Sequence, residues 1–483
     1  MIHNSEKQIA RLFWKMTFKN KAVYILTFII GVLLAYAVYT GWKNYQTQNN
    51  ISEKYQHQAR EDWLSNPDKH PHRMAHYGHF AFRPQMPLSV FDFGMDSFLG
   101  SSIFLEAHVQ NSTNFSEAEF STGMLRFGEI STAMILQILF PLLIFFLVYR
   151  SIATERENGT LKILFTQGLS RKQLLKGKSL GLILVMATLY IPIIFVTILF
   201  MMLLQKMQIS SEEIYRLLLI VVVYFVYLSV FCVIAVIISA TSKTSKTALT
   251  TSIGIWLLLI VLLPRAGQSF GAYLYPSPSK AKFNAKVEND IIKTGDSHNP
   301  NDLYYQKFKD SVLAVYQVKT VAELPVNYGG LVMKEGEKIT SEIHNNHLKE
   351  LRKIYAKQNS FSKYLAFLNP YMGIKNLSMA LSGTDYQTYI NFQDQAEAYR
   401  YYLAQSLNEL QIKHISNTIK SSSDPASALD SDHWGEINDF KYQSPTLSTA
   451  VTNEFISLFS LLFWMLLLAF IVSKLSKTLK VLP

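Results

Sequence analysis

Four histidines fall within ten residues, His70, His72, His76 and His79. Imidazole is the commonest metal ligand, and His72 and His76 would share a face at i, i+4 if this stretch were helical. Pro71 and Gly78 argue against a regular helix across the cluster, and no carboxylate lies within it. Two readings stay open: a metal site, or buried hydrogen-bonding groups that fix a loop or meet a partner. The i, i+3 pair His344 and His347 is a weaker candidate of the same kind. Gly177-Lys178-Ser179 has the ending of a phosphate-binding loop, but the GxxxxGK[ST] pattern demands a glycine where Lys172 stands. With no HExxH, GxSxG or CxxC either, no catalytic centre and no nucleotide site is expected. The single cysteine, Cys232, lies in an apolar run, which excludes an internal disulfide and a cysteine-based zinc site.

A different chemistry, docking, is suggested by residues 150–179. Glu155, Glu157 and Asn158 precede Gly159-Thr160, after which Leu161, Leu164 and Phe165 fall on one apolar helix face. Ser170 is placed to cap a second helix that carries Lys172, Leu174, Leu175 and Lys176. A short helix with charged ends and one apolar face suits a soluble partner. The alternative is an ordinary basic loop between two membrane spans.

The elements that must position these residues are membrane spans. Of the 483 residues 49% are hydrophobic and 17% charged, against about 25% charged in a typical soluble domain. The apolar residues concentrate in six runs, 22–40, 131–149, 180–204, 214–239, 248–264 and 453–473. Each is long enough for a hydrocarbon core of about 30 Å at about 1.5 Å per residue. The runs exclude a disordered chain, a soluble globule and an outer-membrane barrel, whose strands alternate. Their interiors lack Asp, Glu, Lys and Arg, apart from Arg216 near one end, which argues against an ion pathway. Pro141 and Pro192 predict kinks.

Segments 1–21, 150–179, 241–247 and 474–483 together carry 17 basic and three acidic residues. They share one side if the spans alternate, which predicts cytoplasmic termini and accounts for the net charge of +11 without nucleic acid. The first run is too long for a signal-peptide core and no cleavage motif follows it, so it reads as an uncleaved span. Ahead of it, Lys7, Arg11, Lys15 and Lys19 oppose Ile9, Leu12, Phe13 and Met16, the pattern of an amphipathic helix at the lipid surface.

The segments 41–130 and 265–452 are then extracytoplasmic. The first, broken by Gly, Pro and aromatics, predicts compact loops with short helices. The second shows helical spacing at Ile339, Ile343, Leu348, Leu351 and Ile354, and again at Ala396, Tyr399, Leu403, Leu407 and Leu410. Its last part, 416–447, is rich in Ser, Asp and Pro and reads as a loose return to the membrane. The fold class is thus an all-α polytopic membrane protein, six transmembrane helices with a mainly helical extracytoplasmic domain.

The run Glu155-Arg156-Glu157-Asn158-Gly159-Thr160-Leu161, continuing to Lys178, resembles the loop between spans two and three of ABC-2 type transporter permeases. In that family this loop is the coupling helix that docks on the ATPase. The chain is similar to a subfamily with large inserts after span one and between spans five and six. The resemblance rests also on Pro71-His72, Ala75-His76-Tyr77-Gly78, Phe91-Asp92, Leu324-Pro325-Val326-Asn327-Tyr328, Asn369-Pro370, Leu381-Ser382-Gly383-Thr384-Asp385 and Glu397-Tyr399-Arg400. It extends, more distantly, to the permease of the nitrous-oxide-reductase copper-maturation system. It implies a bacterial inner-membrane permease paired with itself or a paralogue and bound to an ATPase dimer holding ATP and magnesium, with no cofactor in this chain. It implies coupling roles for Glu155, Glu157, Gly159, Thr160, Leu161, Leu164 and Phe165, and lipid and an extracytoplasmic protein as further contacts. A metal-handling or assembly factor built on the four histidines is the competing expectation.

Overall fold

The computed structural model describes residues 4–111, 130–204, 209–297, 299, 301–418 and 425–479. Six helices among them are long and apolar enough to cross a membrane. A short helix, α1 (Asn4–Thr17), precedes the first, α2 (Lys21–Leu64). The next connection holds α3 (Pro71–Tyr77) and an antiparallel pair, β1 (His79–Phe82) with β2 (Ser102–Leu105), in which His79 faces Leu105. The second span enters through a π-helical turn, Ile135–Leu139, and continues as α4 (Phe140–Val148). Then come α5 (Ala153–Glu157), α6 (Thr160–Thr166) and the third and fourth spans, α7 (Arg171–Leu204) and α8 (Ser211–Thr241). The fifth is α9 (Ser245–Leu257), a π turn at Leu258–Leu262, and α10 (Leu263–Leu274).

Beyond it stand α11 (Lys280–Thr294), α12 (Leu303–Tyr316), α13 (Tyr328–Tyr364), α14 (Pro370–Ser382) and α15 (Tyr386–His414). The chain returns through α16 (Leu447–Asn453) into the last span, α17 (Phe455–Thr478).

Burial ranks the spans. In the second and fourth, 61% and 56% of the apolar window is buried within the chain, against 22% in the first, fifth and sixth. The α8 helix is therefore the hub, presenting Tyr224, Tyr227 and Phe231 to its neighbours with no exposed surface. Pro141 has no N–H for the Gln137 carbonyl one turn earlier, and the Tyr227 hydroxyl donates to that carbonyl at 2.6 Å. Trp256 donates likewise to the Ile138 carbonyl at 2.9 Å.

Three findings differ from the sequence reading. The first span does not stop near residue 40. It continues to Leu64 as one helix because Lys43–Trp63 contains neither Gly nor Pro, and at about 1.5 Å per residue it forms a rod of roughly 66 Å. The first insert contains a β-pair besides short helices, held by the Phe80–Phe104 contact across it. The return 425–447 is not loose. Trp434, Ile437 and Phe440 are buried, and the Asp439 carboxylate accepts from Gln56 on the rod at 2.8 Å. Residues 419–424 of that stretch lie outside the described residues.

The α1 helix divides its apolar side. Ile9, Ala10 and Phe13 face α7, while Leu12 and Met16 are exposed. The close approach depends on Gly177 and Gly181, one turn apart as in small-xxx-small helix pairs. A Cβ at Gly177 would stand 2.7 Å from that of Ile9, and one at Gly181 would stand 2.9 Å from that of Phe13. The apparent phosphate-loop ending at 177–179 is thus a helix-packing motif.

Gly181→Leu forces these helices apart and should cost about 1–3 kcal/mol, the usual penalty of overpacking. It is read as a lower melting temperature of the detergent-purified protein. Gly31→Leu, with nothing within 4 Å of the added Cβ, should leave melting unchanged.

Candidate functional site

The connection between the second and third spans is bolted to the connection between the fourth and fifth. Ser239 near the end of α8 accepts from the backbone N–H groups of Ile152 and Ala153 at 3.0 and 3.2 Å, which caps α5. Arg156, buried, donates to the carbonyls of Ala240 (2.5 Å) and Ser242. A guanidinium suits that place, because the last carbonyls of a helix lack partners and carry its partial negative charge. Thr154 bonds Ser245 at 2.7 Å, and Ser245 donates to Glu157 at 2.5 Å.

The residues singled out in the sequence separate into two groups. Glu155 turns inward and pairs with Lys178 of α7 at 2.6 Å, the same lysine that imitated a phosphate ligand. Leu161 is fully buried, and Leu164 and Phe165 are half-buried. Glu157, Gly159 and Thr160 stand on the surface with Asn158, Lys162 and Ile163. Gly159 adopts a left-handed φ of 72° with open space around it, so the turn between α5 and α6 favours glycine for its backbone alone. The outcome is an exposed ledge, Glu157 to Ile163, mounted on the ends of four spans. The sequence reading missed Arg156, Ser239 and Ser245; polar side chains at helix ends were the available signal.

At the opposite end of the bundle a second polar group is enclosed. Gln137 donates to the Tyr224 hydroxyl at 2.6 Å, Tyr224 meets Ser378 of α14 at 2.7 Å, and Ser378 donates to Asp92. Asp92 also accepts from the Gly94 N–H at 3.0 Å. Burial pushes its carboxyl above the usual range, against the opposing effect of Ser378, Gly94 and Lys375. Nearby Arg216, 1% exposed, donates to the carbonyls of Ala380, Leu381 and Pro445 and to Glu212. First insert, α14 and return segment are thereby seated together on α8.

The four histidines do not form one group. His70 is buried, and its Nδ1 accepts from the His72 N–H at 3.1 Å as the cap of α3; burial lowers its pKa. His79 bonds Asp439 at 2.7 Å. His72 and His76 do share a helix face, with ring centres 4.7 Å apart. The predicted helix break fails because Pro71 occupies the first helical position and Gly78, at φ 76°, ends the helix, so both flank it. Their third neighbour is His108, whose ligand atom falls with theirs inside a 4.8 Å group.

His108 has a left-handed φ of 62°, held by its N–H and its Nδ1, each 3.1 Å from Oε2 of the buried Glu337. Glu337 pairs with Arg400 at 2.7 Å, and Arg400 also with Glu397 at 2.7 Å. Burial alone would raise the Glu337 carboxyl, but His108 and Arg400 outweigh it and bring it down to about 2. The other pair stays structural: His347 bonds Asp290 at 2.8 Å and His344 packs edge-on against Phe283.

Six helices long and apolar enough to cross a membrane, with the ledge at one end of the bundle and the helical body at the other, make this a multi-pass membrane protein. Residues 101–283 match the model of the ABC-2 family transporter proteins, and residues 280–443 match a domain of unknown function, DUF3526. The chain carries an ABC-2 family transporter permease domain, with DUF3526 as its C-terminal domain. The boundary between the two falls at the entry to α11, where the chain leaves the fifth span. No curated protein matches the chain.

Because the folded pKa of Asp92 lies above its unfolded value, folding takes up a proton between the two. Its contribution to stability is therefore gained as pH falls through the folded pKa and lost as pH rises through it. Asp92→Asn should flatten this part of the melting-temperature profile above the ordinary carboxylate range while keeping the fold. Asp92→Ala, which leaves Ser378 and Gly94 without an acceptor, should cost about 1–3 kcal/mol.

Proposed function

We propose that the chain is the permease subunit of a bacterial ABC-2 type transporter in the cytoplasmic membrane, with both termini cytoplasmic. It pairs with a second permease, itself or a paralogue, and binds a separate ATPase dimer that carries the ATP and magnesium. The observation that carries this reading is the ledge at Glu157–Ile163. Its outer face offers a carboxylate, a backbone turn, Lys162 and Ile163, which is 54% exposed. Its inner face is fixed by Arg156, Leu161 and the Glu155–Lys178 pair. Such a ledge can pass a push from a docked subunit to several spans, since it yields little relative to them.

In this reading Glu157, Gly159, Thr160 and Ile163 meet the ATPase, while Glu155, Leu161, Leu164 and Phe165 hold the ledge in position. The weakly buried first, fifth and sixth spans offer surface to lipid and to the second permease. The rod α2 favours conformational work on the outer side, either accompanying substrate movement or acting on an extracytoplasmic protein. It runs unbroken from the lipid surface to Trp63, whose indole donates to the Trp434 carbonyl at 3.1 Å.

Affinity purification of the solubilised chain from its native membrane should recover a Walker-containing ATPase; its consistent absence under gentle conditions would overturn the proposal. In the purified complex, Glu157→Lys and Ile163→Asp should each lower permease-stimulated ATP hydrolysis about fivefold or more, as loss of about 1 kcal/mol or more at a docking contact implies. Membrane insertion should be unaffected. Unchanged stimulation in both variants would remove the ledge from the coupling path.

A further inference from the structure

We propose that His72, His76 and His108 form a binding site for a divalent d-block cation of the zinc(II) class, with Glu337 as the positioning residue behind His108. Among the described residues theirs is the one group of three potential ligands drawn this close. Two come from successive turns of α3, so a single helix face presents both imidazoles. The third comes from beyond β2, 32 positions along the chain from His76, and its ring lies 5.7 and 5.5 Å from theirs.

His108 is the informative member. A left-handed backbone is costly for a residue with a Cβ, and outliers of this kind persist where the surroundings fix them. Here one carboxylate oxygen engages both its N–H and its Nδ1. With Nδ1 turned to Glu337, the atom His108 can offer an ion is Nε2. A carboxylate behind a histidine ligand orients the ring and raises its basicity. Glu337 cannot swing away, because it is completely buried and paired with Arg400, itself 1% exposed.

Three neutral imidazoles with one open position suit zinc(II) and exclude magnesium and calcium, which prefer oxygen. Around a tetrahedral ion with bonds of about 2.0–2.1 Å, ligand atoms stand roughly 3.4 Å apart. The present spread of up to 4.8 Å would close as an ion drew the three rings inward, and His76, the exposed member, leaves the ion a route in from solvent. An ion so held would clamp α3 to the end of β2 and, through Glu337, to α13, joining the first insert to DUF3526.

The test uses the full-length protein in detergent, stripped with EDTA and titrated with zinc(II) by calorimetry, and with cobalt(II) by visible absorption. The expected result is one tight equivalent per chain and, with cobalt, the d–d bands of a low-coordinate nitrogen site. His76→Ala and His108→Ala should each weaken zinc at least tenfold and abolish the bands. Glu337→Gln should weaken it about 10- to 100-fold. His414→Ala with His433→Ala, which removes another close histidine pair, should leave the tight equivalent intact. Metal-free melting curves identify any variant that has lost its fold, and His76→Ala, at an exposed position, keeps the test decisive if the others do. Absence of a tight equivalent in the wild-type protein, or one that survives His76→Ala, overturns the site. ATPase stimulation does not enter, so failure of the transporter reading would be distinguishable.

Discussion

A carbonyl that loses its helical partner inside a membrane has no water to turn to, and this bundle closes such carbonyls with side chains from other segments. Tyr227 serves Gln137 above Pro141, and Asn369 donates to Leu259 at 2.6 Å in the π turn before Pro264. Arg156 closes the last carbonyls of α8, and Arg216 closes those of α14 and of Pro445. Every one of these caps joins parts of the chain far apart in sequence. A requirement of local backbone chemistry has become the framework that fixes the connections to the spans.

The two arginines show how this organises the molecule. They serve opposite ends of α8, one from the connection that bears the ledge and the other from within the helix, reaching toward DUF3526. Each spreads its donors over more than one oxygen, an arrangement that a lysine, with a compact ammonium, would not reproduce. Burying a guanidinium is unfavourable unless its donors are satisfied, so neither end of α8 can be released without leaving a charge uncompensated. The fourth span is therefore a strut held at both ends, and the second span is tied to it through Gln137 and Tyr224.

The spans were legible because hydrocarbon thickness imposes a run length that composition displays directly. The helices of the second insert were legible from the spacing of Leu and Ile. The extension of α2 could have been read from the absence of Gly and Pro between Lys43 and Trp63, but a polar stretch after an apolar one suggested a boundary. The ledge was visible in the Glu-Asn-Gly-Thr run, although which residues face outward depends on Lys178 and Ser239, distant partners that no local pattern specifies. The histidine group was only half legible. Spacing could pair His72 with His76, whereas His108 joins them through a strained backbone and a carboxylate 229 positions further on. Asp92 was named only within the resemblance, and its enclosure was hidden for a related reason: a carboxylate enclosed by spans enters from a loop, where a scan of span interiors does not look.

The two ends of the molecule are joined along a second line besides α8. The α1 helix is pressed onto α7 by Gly177 and Gly181, in the same turns that place Lys178 against Glu155. A short turn at Phe18–Asn20 joins α1 to the rod, and the rod ends in the packing of Trp63, Met74, Leu407 and Trp434 outside the span. Only 22% of its apolar window is buried, yet one face is seated along its length, with Ile30, Leu34 and Ala37 in the bundle core, Asn49 bonded to Gln85 and Gln56 to Asp439. A continuous helix seated in this way can carry a displacement. On the proposed reading, a shift of the ledge moves the base of α7, carries α1 with it, and arrives at the outer body through α2 without any opening of the bundle core. Outward conformational work then requires no ionisable pathway through the spans, consistent with their apolar interiors.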